Sequence, residues 1–208
     1  QLLLADGPDW KITDLISHSA AGYGDILVSD TGKLRADLLG LLRTRALVLF
    51  EEAGIRPDII DAVLSNIPDE NLEAQVALSR AQSLQSCSTR AEFTTVVQAA
   101  ARVANILKSS KSGGAISDVS DALFADPSES ALFESAVSIK QSVTIAAQSR
   151  QYDQVFVELA TLSPEVDAFF LQVMVMAEDE AVRQNRLALL RLVDDLYREL
   201  ADFTKIEG

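Results

Sequence analysis

Almost every long segment of this chain repeats its apolar residues at intervals of three and four. That period commits the backbone to helices, whose side chains return to one face every 3.6 residues. The clearest stripe is Phe93, Val96, Val97, Ala100, Val103, Ala104 and Leu107. The same spacing predicts helices over about 9–23 (Trp10, Leu15 and Ile16 inward) and 33–53 (Leu34, Leu38, Leu41, Leu42 and Leu49 on or near one face). Gly54 is placed to end the second, and Pro57 to open a shorter one through Leu64. Further helices are expected over 71–83, from Thr89 through the stripe, from Pro127 to about 148, over 152–162, over 163–174 and over 179–202.

Turn chemistry separates them. Gly22, Gly24, Asp30 and Gly32 mark one break and Pro68 another, and the serine-, lysine- and glycine-rich stretch 108–114 reads as a mobile loop. Two capping boxes are predicted: Thr89 with Glu92, and Asp126 with Glu129 around Pro127. No run alternates β-branched residues between hairpin turns. The nearest to a strand is 172–177, with helical patterns on both sides. There is no repeat at a fixed period. The chain is therefore read as all-α, a helical bundle of roughly eight to ten helices. A junction at 86–89 separates a smaller helical module, 1–86, from a larger domain, 87–208.

Composition narrows the chemistry. With 208 residues, 48% of them hydrophobic and 24% charged, the chain can bury a real core. One cysteine excludes a disulfide framework and a cysteine-based zinc site. One histidine removes most zinc ligand sets and any two-imidazole mechanism, and a Glu-x-x-His di-metal bundle has no residues to build it. There is no GxxxxGK[ST] loop and no GxGxxG turn. The run 168–177 is the longest apolar one, but it holds Gln172 and falls short of the roughly 20 residues of a bilayer span. Gln1 opens the sequence without a methionine, and no basic region precedes the first leucines. The chain is read as a piece of a longer soluble, cytoplasmic protein with no membrane partner.

Charge is the remaining signal. The net charge of −13 repels nucleic acid at long range, so any RNA contact needs a local basic patch. Such a patch exists over 88–115, where Arg90, Arg102, Lys108 and Lys111 stand against Glu92 alone. Arg102 and Asn105 are three apart, opposite the apolar stripe, and Lys108 leads from them into the loop of Lys111. Cations can hold phosphates there while an amide reads a base edge; a solvated polar face is the alternative. A second set is Arg183, Asn185 and Arg186. Arginine pairs with phosphate or stacks on a base, but here it also has Glu178, Asp179 and Glu180 within reach. The clusters Glu178-Asp179-Glu180 and Asp194-Asp195 read as a helix start and as half of an Asp194–Arg198 pair. Met174 and Met176 read as core filler, Cys87 as structural and His18 as a surface or half-buried side chain.

The segment Phe169-Phe170-Leu171-Gln172-Val173-Met174-Val175-Met176-Ala177-Glu178-Asp179-Glu180 is followed by Arg183-Gln184-Asn185-Arg186-Leu187-Ala188-Leu189-Leu190 and closes with Ala201-Asp202-Phe203. It resembles the C-terminal end of the bacterial glycyl-tRNA synthetase β-subunit family. Arg102-Val103-Ala104-Asn105-Ile106-Leu107 is similar to the R-V-x-N-I helix of the same domain. Phe50-Glu51-Glu52-Ala53-Gly54-Ile55-Arg56 and Asp58-Ile59-Ile60-Asp61-Ala62-Val63-Leu64 resemble the stretch upstream of it. Residues 1–45 match loosely.

The resemblance implies an anticodon-binding domain of the DALR type over 87–208, with 1–86 joining it to the rest of the subunit. It implies tRNA(Gly) and a catalytic α-subunit, in an α2β2 assembly, as partners, and no DNA. It strengthens tRNA contacts at Arg102 and Asn105 and at Arg183, Asn185 and Arg186, beside the Lys108 and Lys111 that the basic segment offers. It puts no catalytic residue, metal or cofactor in this piece, while the complete ligase uses ATP and magnesium. A helical scaffold that docks on protein without touching RNA is the competing expectation.

Overall fold

The computed structural model describes residues 18–19, 21–22, 31–110 and 118–207. The expected first helix and the position of Lys111 lie largely or wholly outside them; His18, which is described, is exposed. From residue 31 onward the described residues form eight α-helices and no strand: α1 Thr31–Glu52, α2 Pro57–Ser65, α3 Ala74–Cys87, α4 Phe93–Ser109, α5 Pro127–Gln148, α6 Tyr152–Ala160, α7 Ser163–Gln172 and α8 Glu180–Arg198. The 3-10 turns Asp69–Asn71, Asp121–Leu123 and Phe203–Lys205 join or follow them.

The caps explain most of the boundaries. At the end of α1, Gly54 takes a φ of 78°. The Ile55 N–H donates to the Phe50 carbonyl at 3.1 Å and the Gly54 N–H to that of Glu51 at 2.9 Å, the paired bonds of a Schellman turn. Ile55 and Phe50 are both buried beneath it. Pro57 supplies the first turn of α2, where its missing N–H leaves no bond unmade. The box on α5 forms as predicted: Asp126 accepts from the Ser128 N–H at 2.9 Å, and Glu129 reaches back to the Asp126 N–H at 2.9 Å.

The box predicted at Thr89 does not form. Residues 88–92 turn instead, with the Thr89 hydroxyl donating back to the Ser86 carbonyl, and α4 begins at Phe93 with no side-chain cap. The stripe still buries Phe93, which stacks on Phe156 at 6.0 Å. Packing of the apolar face thus overrides the local capping signal.

One continuous core crosses the junction at 86–89. Phe50, Ile59 and Val63 from the first part belong to the same buried cluster as Val103, Leu159, Phe169 and Leu189 from the second. Each fully buried side chain of this size contributes about 2 kcal/mol. Hydrogen bonds reinforce the union. The Asp202 N–H donates to the Ala62 carbonyl at 2.9 Å, and the Gln85 amide bridges the α1–α2 turn by accepting from the Arg56 N–H and donating to the Gly54 carbonyl. α4 runs through the middle, packed on α6, α7, α8 and the final 3-10 turn, so its outer edge is held between α7 on one side and α8 on the other.

Candidate RNA-binding interface

On α4 the exposed residues Arg102 and Asn105 stand opposite the buried Val96, Ala100 and Val103, and Lys108 is exposed one turn on. At about 100° per residue, Asn105 occupies the crest, and Arg102 and Lys108 fall about 60° to either side of it. The ridge therefore has two shoulders, and each meets a different neighbour.

On the first shoulder the Arg102 guanidinium lies 4.3 Å from the centroid of the Phe170 ring, in the last turn of α7. Phe170 packs edge-on to Phe169 at 5.4 Å, and Phe169 is fully buried. The cation thus rests on a ring anchored in the core, and among the described residues no carboxylate pairs with it. On the second shoulder Asn105 and Lys108 line a polar cleft with Asp194, Arg198, Thr204 and Lys205. Arg198 bonds Asp194 at 2.7 Å, and that bond raises the guanidinium's proton affinity further. Lys205 lies 3.5 Å from Asp61. Sequence reasoning read Arg198 only as a partner of Asp194 and did not single out Lys205, because only folding brings the end of α8 and the C-terminal turn beside α4.

The second predicted set has a different fate. Asn185 is 3% exposed. Its amide accepts from the Ser120 N–H at 2.7 Å and donates to the Ser120 carbonyl at 2.9 Å. Arg186 bonds the carboxylate of Glu129 through Nε at 2.8 Å and Nη2 at 3.4 Å, and the Met174 carbonyl through Nη1 at 2.9 Å. Arg183 donates to the Ala177 carbonyl at 2.6 Å and pairs with Glu180. All three are engaged by the protein itself: Asn185 and Arg186 by groups that only folding brings to them, and Arg183 by Glu180 and a carbonyl close by in sequence, the local pairing named above as its alternative.

Glu129 itself is fully buried and also accepts from the Ala125 N–H at 2.8 Å. Burial alone pushes its carboxyl up; the Arg186 bond and the two backbone N–H groups outweigh this and hold it below the ordinary carboxylate range. The acidic clusters are structural as expected. Asp179 caps α8 by accepting from the Ala181 and Val182 N–H groups, and Asp194 pairs with Arg198. Cys87 is buried, and desolvation, with the Asp153 carboxylate beside it, pushes its thiol up to about 11.

The methionines reverse the expectation. After α7 the chain leaves the helix, extended at Val173 and bent at 175–176, and Val173 and Val175 are buried while Met174 and Met176 are 76% and 52% exposed. Leu171 is 79% exposed. Burial alternates along this non-helical connection, so no helical stripe sets which side chains go in. Among the described residues no helix is long and apolar enough to cross a membrane, and no three His, Cys, Asp or Glu side chains are grouped to hold a metal ion.

The comparisons with known proteins place this helical bundle in a family. Residues 96–207, more than half of the chain, match the family model of the DALR anticodon binding domain. The chain belongs to that family. It is 33% identical over 204 residues to the glycine--tRNA ligase beta subunit of Desulforudis audaxviator (strain MP104C), covering 98% of this chain and 29% of that protein. It is 31% identical to the beta subunit of Acidithiobacillus ferrooxidans over all of this chain and 30% of the relative, and 34% identical to that of Haemophilus influenzae over 94% and 28%. The chain thus spans under a third of the length of the curated relatives it matches.

Proposed function

We propose that this chain is the tRNA-recognition part of a glycine--tRNA ligase beta subunit. It grips the anticodon region of tRNA(Gly) on the α4 ridge and so supports ATP-dependent attachment of glycine, carried out in the cytoplasm with a catalytic alpha subunit. In this reading the complete ligase uses ATP and magnesium, and its subunits assemble as α2β2. Residues 1–86 join the ridge-bearing part to the remainder of the subunit.

The observation that carries the reading is Arg102. Arg102 is exposed, its guanidinium lies over the Phe170 ring, and among the described residues it has no acidic partner. A cation kept desolvated on one side and open on the other suits phosphate or a nucleobase better than a solvated surface arginine does. Asn105 on the crest supplies an amide for a base edge, and Lys108 a cation for the backbone. Lys111 follows in sequence as a second phosphate contact. Arg183, Asn185 and Arg186 serve this reading by holding the fold rather than by touching RNA.

The test is equilibrium binding of glycine tRNA, and of the same tRNA with an altered anticodon, at two salt concentrations. The intact chain should prefer the native anticodon and weaken with salt. Arg102→Ala with Lys108→Ala should lower affinity for the native tRNA. Unchanged affinity in that double variant removes the ridge from RNA binding.

A further inference from the structure

The C-terminal turn, 202–207, packs on both α4 and α2. Phe203 and Ile206 are buried, Phe203 edge-on to Tyr197 at 5.8 Å, while Thr204 and Lys205 are exposed. A row of contacts ties the turn to α2. The Asp202 N–H donates to the Ala62 carbonyl at 2.9 Å, the Glu207 N–H donates to the Asp58 carboxylate at 3.2 Å, and Lys205 lies 3.5 Å from Asp61. Positions 58, 61 and 62 share one face of a helix. Just past the end of α2, the Asn66 amide donates to the Arg198 carbonyl.

The same turn lines the polar cleft beside Asn105 and Lys108, a space of about 480 Å³. Both carboxylates of that cleft are engaged: Asp194 by Arg198, and Asp202 by the Thr204 N–H at 3.1 Å and hydroxyl at 2.6 Å. Its cations are Lys108, Arg198 and Lys205, and among the described residues Lys108 has no acidic partner. Three cations against two engaged acids, in a chain of net charge −13, make a local seat for an anion.

Lys205 differs from the other two cations. Its partner Asp61 belongs to α2 and does not line the cleft. The pair is also loose, with the lysine side chain 43% and the aspartate 57% exposed. An exposed pair of this kind holds weakly and exchanges readily. A phosphate of a polyanion, backed by the charge of its neighbours, competes with it on favourable terms.

We propose that the cleft is an ion-exchange relay: an RNA phosphate entering beside Lys108 takes Lys205 from Asp61 and so loosens the C-terminal turn from α2. This rests on the RNA-binding reading above and deepens it into regulation, because α2 belongs to the part of the chain, 1–86, that joins the ridge to the rest of the subunit in that reading. Linkage makes the effect reciprocal. If RNA weakens the hold of α2 on the turn, weakening that hold must strengthen RNA binding.

The experiment uses the 208-residue chain and a glycine tRNA. Asp61→Asn keeps an acceptor for the Ser65 hydroxyl, now bonded at 2.8 Å, but gives up the lysine. It should raise tRNA affinity about threefold, the scale of an exposed ion pair. Glu134→Gln removes an exposed charge on α5, outside the cleft, and should raise affinity less. In a Lys205→Ala background the gain from Asp61→Asn should fall to that of Glu134→Gln. Amide hydrogen exchange at Asp202 and Glu207, whose acceptors are on α2, reads the coupling. Saturating tRNA should speed it in the native chain, and Asp61→Asn should speed it without RNA. Inorganic phosphate alone should leave it unchanged.

No gain from Asp61→Asn over Glu134→Gln, or the same gain with and without Lys205, overturns the relay and leaves the ridge standing. Exchange at 202 and 207 that tRNA leaves unchanged or slows also overturns it. Equal acceleration by inorganic phosphate makes the trigger a free anion, and the relay as an RNA device is wrong. A native chain with no salt-dependent tRNA binding overturns the RNA-binding reading and the relay with it.

Discussion

α4 and α8 carry nearly the same polar signature, an arginine with an asparagine and a second cation within six residues, and the structure uses them in opposite ways. On α4, Arg102 and Asn105 remain exposed, and Arg102 touches an aromatic ring. On α8, Asn185 and Arg186 are tied up in bonds to Ser120 and Glu129, which lie 65 and 57 positions away in sequence. A polar face becomes a binding surface or a structural joint according to what the rest of the chain lays against it. Arg186 also fixes the Met174 carbonyl, in the connection that follows α7.

The comparison breaks most directly at the buried pair. Arg186→Ala leaves the Glu129 carboxylate buried without its guanidinium, and urea unfolding should show a loss of about 3 kcal/mol or more. Equal stability to the native chain would mean that the pair is not the joint described here. Asn185→Ala orphans both backbone groups of Ser120 and should cost about 2 kcal/mol by the same measurement.

Acid should act on the α8 joint and spare the α4 ridge. The folded state holds Glu129 below its ordinary range, so its contribution is fully present above the unfolded carboxylate pKa of about 4.3. It is lost as pH falls through the lower folded value. Stability of the native chain should decline below about pH 4, and Glu129→Gln should start lower but flatten that decline.

The ridge should show the reverse profile. Arg102→Ala removes an exposed cation–ring contact and should shift stability by no more than about 1 kcal/mol, while tRNA affinity falls. Lys108→Ala should reduce the slope of log affinity against log salt by about 0.7, one phosphate contact to a single strand. The smallest effect is at Cys87. Buried and pushed up to about 11, its thiol should resist alkylation at neutral pH and react only when the chain unfolds.

Helix positions were legible from the sequence because they depend on neighbours three and four residues apart. The stripe of α4, the Gly54 stop, the Pro57 start and the Asp126–Glu129 box all appear where their local chemistry puts them. The failures share one cause. At Thr89 a cap with correct spacing lost to the burial of Phe93, and Met174 and Met176, expected as core filler, lost their places to Val173 and Val175. Arg102 was found because its charge stood out in its own segment; its ring partner Phe170 was missed because nothing local ties the two together.

By itself, then, the sequence determined that this protein is a bundle of helices, where most of them start and stop, and where a basic segment lies in an acidic chain. Those properties follow from backbone geometry, capping and counting, all set within a turn or two. Tertiary structure alone decided which cations stay open and which are sealed. That outcome depends on the desolvation and pairing of groups distant in sequence, such as Glu129 with Arg186 and Phe170 with Arg102, and no local pattern encodes those meetings.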